Sequence, residues 1–274
     1  MILDGKKIRE QFLEKSSLYI KENNLKLTLA IIYIGDDKPS ELYVNNKIKY
    51  CKKVGINTKL IHLDGNLIDD DVINIIKELN NDNEITGMIL QSPIPENLNF
   101  KKCISYIDPK KDVDGLTAEN FNKLANHMKC LHPCTPKGIM NLLEAYNIDV
   151  ESKNVCIIGR GQLVGKPLFY EMLNRNATVF MCHSKTKNLK EITKISDIIV
   201  CGVGKPNILT ADMVKKDAIV IDAGITVIDG KIKGDVDFEN LKDKCSYITP
   251  NPGGVGPMTI STIIENLIKA GSDK

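Results

Sequence analysis

Short apolar runs alternate with helical patterns along most of this chain, and this alternation constrains the fold more than any other feature. The runs cover residues 27–34, 58–63, 87–90, 154–159, 178–182, 198–202 and 218–222. Between them lie stretches with apolar residues at helical spacing, namely 41–54, 72–80, 137–146, 167–174 and 189–194. Strands that alternate with such helices form parallel sheets joined by crossover helices. We therefore predict an α/β fold built on parallel sheets.

A turn-rich segment, Leu131-His132-Pro133-Cys134-Thr135-Pro136, separates two groups of these elements. Such a segment is typical of a boundary between domains. We place a first domain at residues 1–135 and a second, Rossmann-like domain at 136–256. An apolar stripe at helical spacing predicts a last helix over 257–274. We expect this helix to pack back on the first domain and to close a cleft between two lobes.

Composition excludes several classes of function. The formal charge of +2 over 274 residues argues against nucleic acid as a main partner. No apolar run reaches membrane-spanning length, and the N-terminus lacks a signal-peptide pattern. The eight cysteines are scattered, which indicates reduced thiols in a cytoplasmic protein. Cys130 and Cys134 lie near His127 and His132, but no second ligand pair has zinc spacing, so we predict no metal site.

A glycine-rich turn joins the run at 154–159 to the next helical pattern. Gly159, Gly161 and Gly165 have the spacing G-x-G-x-x-x-G, one residue longer than the standard dinucleotide fingerprint. Pro167 suits the first turn of a helix, where its missing N–H costs nothing. A strand before the glycines and a helix after them predict a dinucleotide site on the second domain.

The ends of the following strands indicate which dinucleotide binds. NAD sites usually carry an Asp or Glu after the second strand, but here His183-Ser184-Lys185-Thr186 follows it, and Arg160 lies in the glycine loop. Hydroxyl and cationic groups suit a 2′-phosphate, so we predict NADP; an ordinary polar loop is the alternative. Two later strands end in small residues, at Cys201-Gly202 and Ala223-Gly224-Ile225, which leaves room for the nicotinamide and its ribose.

The first domain contains polar residues at positions where chemistry could occur. Tyr43 and Lys47 are four residues apart on a predicted helix with Ser40 as its N-cap, so the tyrosine could cover a flat ring whose edge the lysine meets. Gln91 ends the strand 87–90, where ligands bind in open α/β sheets. Lys47 as one more solvated lysine is the alternative.

Two further segments add candidates. Asp112 and Asp114 point in different directions if the backbone is extended, so one could bind a ligand while the other caps the turn. Gly253-Gly254-Val255-Gly256-Pro257-Met258-Thr259 predicts a stiff loop that opens the last helix, with free N–H groups able to hold a carboxylate or a ring edge. A plain glycine-rich turn is the alternative.

Together these segments resemble the bifunctional methylenetetrahydrofolate dehydrogenase/cyclohydrolase family over nearly the whole chain. The resemblance implies a two-lobed subunit, usually a homodimer joined through the cofactor domain. It implies activity on tetrahydrofolate one-carbon derivatives, in one-carbon metabolism and purine biosynthesis. The motifs that carry it are Tyr43-Val44-Asn45-Asn46-Lys47, Leu90-Gln91-Ser92-Pro93, Lys111-Asp112-Val113-Asp114-Gly115, Pro133-Cys134-Thr135-Pro136, Gly159-Arg160-Gly161, Val164-Gly165-Lys166-Pro167, His183-Ser184-Lys185-Thr186 and residues 252–259.

The resemblance also implies residue roles. Lys47 would be the acid–base group and Gln91 its positioning partner, while Tyr43 would stack on the folate ring and Asp114 would accept the pterin N–H bonds. The wider substrate site would include Leu90, Pro93, Pro252, Gly253, Gly254, Gly256, Pro257 and Thr259. The NADP site would include Gly159, Arg160, Gly161, Val164, Gly165, Ser184, Lys185, Cys201, Gly202 and Ile225. Gly161 and Ser92 depart from the serine and the leucine that are common there in the family.

Two linked reactions follow from this resemblance. 5,10-Methylenetetrahydrofolate would give a hydride to NADP, and water would then open the 5,10-methenyl cation to 10-formyltetrahydrofolate. The second reaction needs proton transfers, and burial of Lys47 beside a cationic substrate would favour its neutral amine. A monofunctional NADP-dependent dehydrogenase, a different two-lobed NADP-dependent oxidoreductase and a non-catalytic nucleotide-binding regulator are the alternatives.

Overall fold

The computed structural model describes residues 1–228 and 231–272, and the chain divides into two compact units. The first, here called the glycine-loop unit, comprises Met1–Glu10 and Pro133–Thr259. The second, here called the lysine unit, comprises Gln11–His132 and Ile260–Lys274. The predicted second domain and last helix extend over residues 229, 230, 273 and 274, which lie outside the described residues.

A parallel sheet forms the centre of the lysine unit. Its described strands lie in the order β2–β1–β3, and Ile31 of β1 pairs with Leu60 and Ile89 on either side. The strand β1 is buried on both faces, which explains its continuous apolar sequence. The elements are α1 (Gly5–Glu22), β1 (Thr28–Ile34), α2 (Lys38–Lys53), β2 (Asn57–Leu63), α3 (Asp69–Asn81), β3 (Gly87–Leu90), α4 (Phe100–Ile104) and α5 (Ala118–Ala125).

A second parallel sheet forms the centre of the glycine-loop unit. Its described strands lie in the order β10–β7–β6–β4–β5, and alternate residues of β4 enter different apolar clusters on the two faces. The elements are α6 (Cys134–Ala145), β4 (Asn154–Ile158), α7 (Gly165–Leu173), β5 (Thr178–Cys182), α8 (Leu189–Ile195), β6 (Ile198–Cys201), β7 (Ile219–Asp222), β8 (Thr226–Ile228), β9 (Lys231–Lys233), α9 (Phe238–Leu241), β10 (Tyr247–Ile248) and α10 (Val255–Ser272). The predicted α/β fold on parallel sheets is confirmed.

The first residues of the chain belong to the glycine-loop unit, whereas our sequence analysis placed them in the first domain. Ile2 bridges to Ile248 in parallel, and the Leu3 amide donates to the Ile248 carbonyl at 2.9 Å. The N-terminus therefore continues the edge of the sheet beside β10. The two partners lie at opposite ends of the chain, so no local pattern could have signalled this contact.

The first turns of α2 and α10 differ from the prediction in the residues that form them. The N-cap of α2 is Asp37 and not Ser40: its carboxylate accepts the Ser40 amide at 2.9 Å, and Pro39 occupies the first turn. The helix α10 begins at Val255, so Gly256 and Pro257 belong to its first turn and not to a preceding loop. Pro257 is tolerated there because the first-turn amides have no partner within the helix.

None of the helices within residues 1–228 and 231–272 has both the length and the hydropathy needed to cross a membrane.

Candidate active site

A buried lysine–glutamine pair lies at the centre of the lysine unit. The buried side of α2 carries residues at helical spacing, and Lys47 is among them with 9 % of its surface exposed. Its Nζ donates to Oε1 of Gln91 at 2.8 Å. Gln91 is 6 % exposed and follows β3, at the carboxyl end of the sheet. The structure therefore brings together two candidates that are 44 residues apart in sequence.

The orientation of the glutamine amide is fixed by its second contact. Nε2 of Gln91 donates to the Ser92 carbonyl at 2.6 Å, so Oε1 is the atom that faces Lys47. The Gln91 backbone amide donates to the Ile32 carbonyl at 2.9 Å, which anchors the residue to β1. The uncharged amide oxygen of Gln91 accepts from Nζ and holds the lysine side chain in place.

Other residues of α2 border this pair. Tyr43 lies one turn before Lys47, and its side chain is 37 % exposed. Burial raises the pKa of Tyr43, so its hydroxyl stays protonated at neutral pH. Cys51 lies one turn after Lys47, and burial raises the pKa of its thiol to about 12, which makes it an inert core residue.

Ser40 is a residue whose position the sequence did not reveal. It is buried on the same stripe of α2 as Lys47, two turns before it, and its hydroxyl has no hydrogen-bond partner. A buried polar atom of this kind calls for an explanation. The signal in the sequence was the spacing of Ser40, Val44, Lys47 and Cys51, which defines one face of a helix.

The two carboxylates after β3 have different surroundings. Asp112 is buried and accepts hydrogen bonds from the amides of Leu116 and Thr117 at 3.1 and 2.8 Å, and from Nδ2 of Asn120 at 3.0 Å. It therefore holds the turn into α5. Asp114 is half-buried. Asp112 forms an isolated parallel bridge with Met88, and Asp114 lies in the turn that follows, which the Gly115 amide closes on the Asp112 carbonyl at 3.1 Å.

An asparagine in α10 supports this turn from the other side. Asn266 is buried, and its Nδ2 donates to the carbonyls of Val113 and His132 at 2.9 and 2.8 Å. It thus fixes the backbone just before Asp114. Asn266 was not among the predicted site residues, although a polar residue within an apolar helical stripe was the available signal.

The glycines after β4 have distinct steric roles. Gly159 has φ +123°, and a Cβ there would lie 2.7 Å from the Gly202 carbonyl oxygen. A Cβ on Gly165 would lie 2.1 Å from the Gly159 oxygen, so this glycine lets α7 begin against the loop. A Cβ on Gly161 would meet nothing within 4 Å. Gly161 therefore leaves open space where a phosphate group can approach the backbone.

Polar groups from two strands meet at the edge of this loop. The end of β4 pairs with the end of β5, and the Gly159 amide donates to the Cys182 carbonyl at 2.9 Å. The turn after β5 is held by the His183 amide, which donates to Oγ1 of Thr186 at 2.9 Å. Arg160, Ser184 and Lys185 are exposed at this edge. The segments that follow β4 and β5 therefore carry cationic side chains, Arg160 and Lys185, and the hydroxyl group of Ser184.

Two carboxylates, Asp235 and Asp222, accept backbone amides of the loops that follow β6 and β7. Asp235 accepts the amides of Val203, Gly204 and Lys205 at 2.6, 3.2 and 2.7 Å, and Asp222 accepts those of Gly224, Asp235 and Val236 at 3.0, 3.0 and 3.1 Å. Both are buried, and burial raises the pKa of Asp222. A Cβ on Gly224 would lie 2.1 Å from the Asp235 carboxyl carbon, and one on Gly234 would lie 1.9 Å from Oδ2 of Asp222.

This arrangement explains the small residues that the sequence places at these strand ends. Gly224 and Gly234 admit the carboxylates, which in turn fix the loops beside Gly202 and Ile225. Cys201 is fully buried in an apolar cluster, and burial together with the two carboxylates raises the pKa of its thiol. Ile225 is about half exposed.

The remaining predicted site residues divide between surface and core. Leu90 packs in the apolar core of the lysine unit, while Pro93 just after it is exposed. In the glycine-loop unit, Gly253 and Gly254 are buried, whereas Pro252 and Gly256 are exposed and Pro257 and Thr259 half-buried. Oγ1 of Thr259 lies 3.2 Å from Oγ1 of Thr135. The described residues contain no group of three or more His, Cys, Asp or Glu side chains arranged to hold a metal ion.

Comparisons with known proteins match both units. Residues 3–114 match the family described as "Tetrahydrofolate dehydrogenase/cyclohydrolase, catalytic domain", and residues 133–274 match the corresponding "NAD(P)-binding domain". The Bifunctional protein FolD of Mycoplasma capricolum is 49 % identical over 275 residues, which cover 98 % of this chain and 97 % of the relative.

Solved structures agree with these matches. The FolD methylenetetrahydrofolate dehydrogenase/cyclohydrolase from Campylobacter jejuni has a TM-score of 0.95 at 41 % identity, over 100 % of this chain and 99 % of that chain. The Trypanosoma brucei enzyme, solved with NADP and an inhibitor, has a TM-score of 0.93 at 29 % identity, over 100 % and 97 % of the two chains.

Proposed function

Because this chain belongs to the tetrahydrofolate dehydrogenase/cyclohydrolase family, we propose that Lys47 and Gln91 form the catalytic centre for its two reactions. The chain is a bifunctional enzyme: it oxidises 5,10-methylenetetrahydrofolate to the 5,10-methenyl form and hydrolyses that product to 10-formyltetrahydrofolate. The buried contact of 2.8 Å between Lys47 and Gln91 is the single observation that carries the assignment of the residues.

The first reaction depends on positioning. A hydride leaves the methylene carbon between N5 and N10, and NADP supplies the nicotinamide carbon that accepts it. The substrate carbon then bears the positive charge of the methenyl cation. Tyr43 covers the folate ring system and Asp114 accepts its pterin N–H groups, so that the reacting carbon is held beside Lys47. The family resemblance adds Pro93 and residues 252–259 to the folate-binding residues. Correct alignment is the main contribution that side chains make to such a transfer.

The second reaction requires proton transfer, for which Lys47 is placed. Water adds to the methenyl carbon, its C–O bond forms, and one water proton passes to the Lys47 amine. The new hydroxyl group then gives up its proton as its C=O bond forms, the bond between that carbon and N5 breaks, and N5 takes up a proton while the formyl group remains on N10. The net products are 10-formyltetrahydrofolate and one proton. Gln91 keeps the Lys47 Nζ at a fixed place throughout, because its Oε1 accepts from the lysine at 2.8 Å.

The residues of the glycine loop fit NADP. Open space at Gly161 admits a phosphate, while Arg160, Ser184 and Lys185 are exposed together with no carboxylate among them. Gly159 and Gly165 shape the loop, Val164 packs toward Gly202, and Ile225 lies at the end of β7. NADP in the Trypanosoma brucei structure supports the same choice.

We further propose a homodimer that works in the cytoplasm. The hairpin of β8 and β9 exposes Val227 and Ile232, which are cross-strand partners and therefore share one face. Exposed paired apolar residues of this kind are typical of a surface that a second copy covers. All eight cysteines are free thiols, which suits a reducing compartment. In that setting the 10-formyl product supplies one-carbon units for purine biosynthesis.

A continuous spectroscopic assay tests the proposal. The purified protein is mixed with methylenetetrahydrofolate and NADP, and absorbance of the methenyl cation and of NADPH is followed. We expect NADPH to rise steadily while the methenyl signal passes through a maximum and decays to 10-formyltetrahydrofolate. A methenyl signal that decays no faster than in buffer would leave the monofunctional dehydrogenase as the correct assignment. No NADPH formation would reject both.

A further inference from the structure

The turn that leads from β1 into α2 is held by side chains of the neighbouring strands. The Gly35 amide donates to the Leu63 carbonyl at 2.9 Å, and Nε2 of His62 lies 2.8 Å from the Gly35 carbonyl oxygen. Because a carbonyl oxygen only accepts, His62 carries its proton on Nε2. Both hydrogen-bonding groups of Gly35 are therefore tied to β2, the strand beside β1.

A stacked pair reinforces this connection. Tyr33 and His62 are direct partners in the parallel register of β1 and β2, and their rings stack with centroids 4.8 Å apart and planes 14° from parallel. Tyr33 is 4 % exposed. Its hydroxyl donates to the Asp37 carbonyl at 2.9 Å, and burial with nearby carboxylates raises the pKa of Tyr33, which keeps it a donor.

Asp37 is the residue at which these contacts reach the catalytic helix. It is the N-cap of α2, and its carboxylate accepts the Ser40 amide at 2.9 Å. Lys47 follows ten residues later, roughly 15 Å along the helix axis. A small change in the direction of α2 at Asp37 therefore becomes a displacement of Nζ relative to Gln91, whose backbone amide is held by the Ile32 carbonyl of β1.

We propose that Tyr33 and His62 are positioning residues for Lys47, resting on the function proposed above. The two hydrogen bonds that this stacked pair makes set the backbone at Gly35 and Asp37, and thereby the place of the Lys47 amine at the reacting carbon. Neither residue touches substrate in this account. Proton transfer depends steeply on donor–acceptor distance, so the hydrolysis of the methenyl cation is the reaction that responds most.

The side chain of His62 can be replaced without disturbing the core. It is about half exposed and borders a surface cavity of about 580 Å³ that is also lined by Gly35, Asp36 and Asn66. Glutamine can place an N–H donor where Nε2 of the histidine lies, whereas leucine fills similar space without a donor. His62→Gln and His62→Leu therefore form a matched pair that separates hydrogen bonding from packing.

The test compares Tyr33→Phe, His62→Leu and His62→Gln with the wild type, and Tyr19→Phe, on exposed Tyr19 of α1, is the control. Hydrolysis of added methenyltetrahydrofolate, NADP binding and the folded fraction are measured. We expect Tyr33→Phe and His62→Leu to lower kcat about three- to tenfold, as the loss of one hydrogen bond would. KM for the methenyl substrate and the affinity for NADP should change less than twofold. His62→Gln should recover kcat to within twofold of the wild type.

The outcomes separate the two proposals. A wild type that does not hydrolyse the methenyl cation would reject the proposed cyclohydrolase activity itself. An active wild type with unchanged kcat in Tyr33→Phe or His62→Leu would overturn the positioning role. So would a loss that follows the folded fraction, or a rise in KM with kcat preserved, or a His62→Gln enzyme as slow as His62→Leu.

Discussion

At the residue scale, the site depends on which polar groups are already engaged within the fold. Asp112 accepts three hydrogen bonds and holds a turn, and the family resemblance is what assigns Asp114 to the pterin. The residue pattern alone left the two open, because alternation of side chains along an extended segment does not say which side faces the ligand, and only the family resemblance named Asp114. Burial of Lys47 was equally hidden, since several lysines surround it in sequence.

Replacing Asp114 with alanine should damage folate binding. The pterin N–H groups would lose their acceptor, so we expect folate affinity to fall about tenfold or more, as for a charge-assisted hydrogen bond, and both activities to fall with it. NADP affinity should stay within twofold. Calorimetric titration of each ligand measures this, with Glu119→Ala on exposed Glu119 of α5 as the control. Unchanged folate affinity would mean that Asp114 only shapes its turn.

Replacing Arg160 with alanine should weaken the preference for NADP. A lost charge-assisted contact to the 2′-phosphate costs about 1.5–3 kcal/mol. We expect kcat/KM for NADP to fall by the corresponding factor of about 10–150 and kcat/KM for NAD to change little. Lys187→Ala, at an exposed lysine beyond the β5 turn, is the control. A wild type that uses NAD and NADP with equal efficiency would contradict the assignment.

At the scale of elements, short-range patterns predicted the main strands of the two parallel sheets, but they missed a short hairpin and misassigned the cap of one helix. Apolar runs predicted the strands β1 to β7. Strands β1, β3, β4, β6 and β7 are buried in the sheets, whereas the edge strands β2 and β5 are largely exposed or half-buried. The hairpin of β8 and β9 was missed, since it has three residues in each strand and no hydrophobic core of its own. The cap of α2 was misassigned because Asp37 and Ser40 are both good N-cap residues and only the contact distinguishes them.

The glycine loop provides a matched pair of substitutions. Gly165→Ala places a Cβ 2.1 Å from the Gly159 oxygen, and we expect it to lower the free energy of unfolding by about 1–3 kcal/mol. Gly161→Ala meets no atom within 4 Å and should leave the stability nearly unchanged, while reducing NADP affinity. Denaturant unfolding of both variants checks the first statement. Equal destabilisation by the two would mean that the steric role of Gly165 is incorrect.

At the scale of the whole molecule, the two units are connected through more of the chain than the sequence suggested. The chain passes between them near residues 10, 132 and 259, so α1 and α10 each begin in the glycine-loop unit and end in the lysine unit. Asn266 of α10 then anchors the turn before Asp114. Such pairings between distant segments decide which residues form a site, and local periodicity carries no information about them.

The role of Lys47 in hydrolysis is the central claim, and its replacement tests it most directly. Lys47→Met keeps most of the side-chain length and removes the amine, with Lys52→Met on the exposed side of α2 as the control. Hydrolysis of methenyltetrahydrofolate should fall about 10²–10⁴-fold, the usual worth of general acid–base catalysis, while the dehydrogenase falls less and methenyl product accumulates. A Lys47→Met enzyme that hydrolyses added methenyltetrahydrofolate at the wild-type rate would contradict the account.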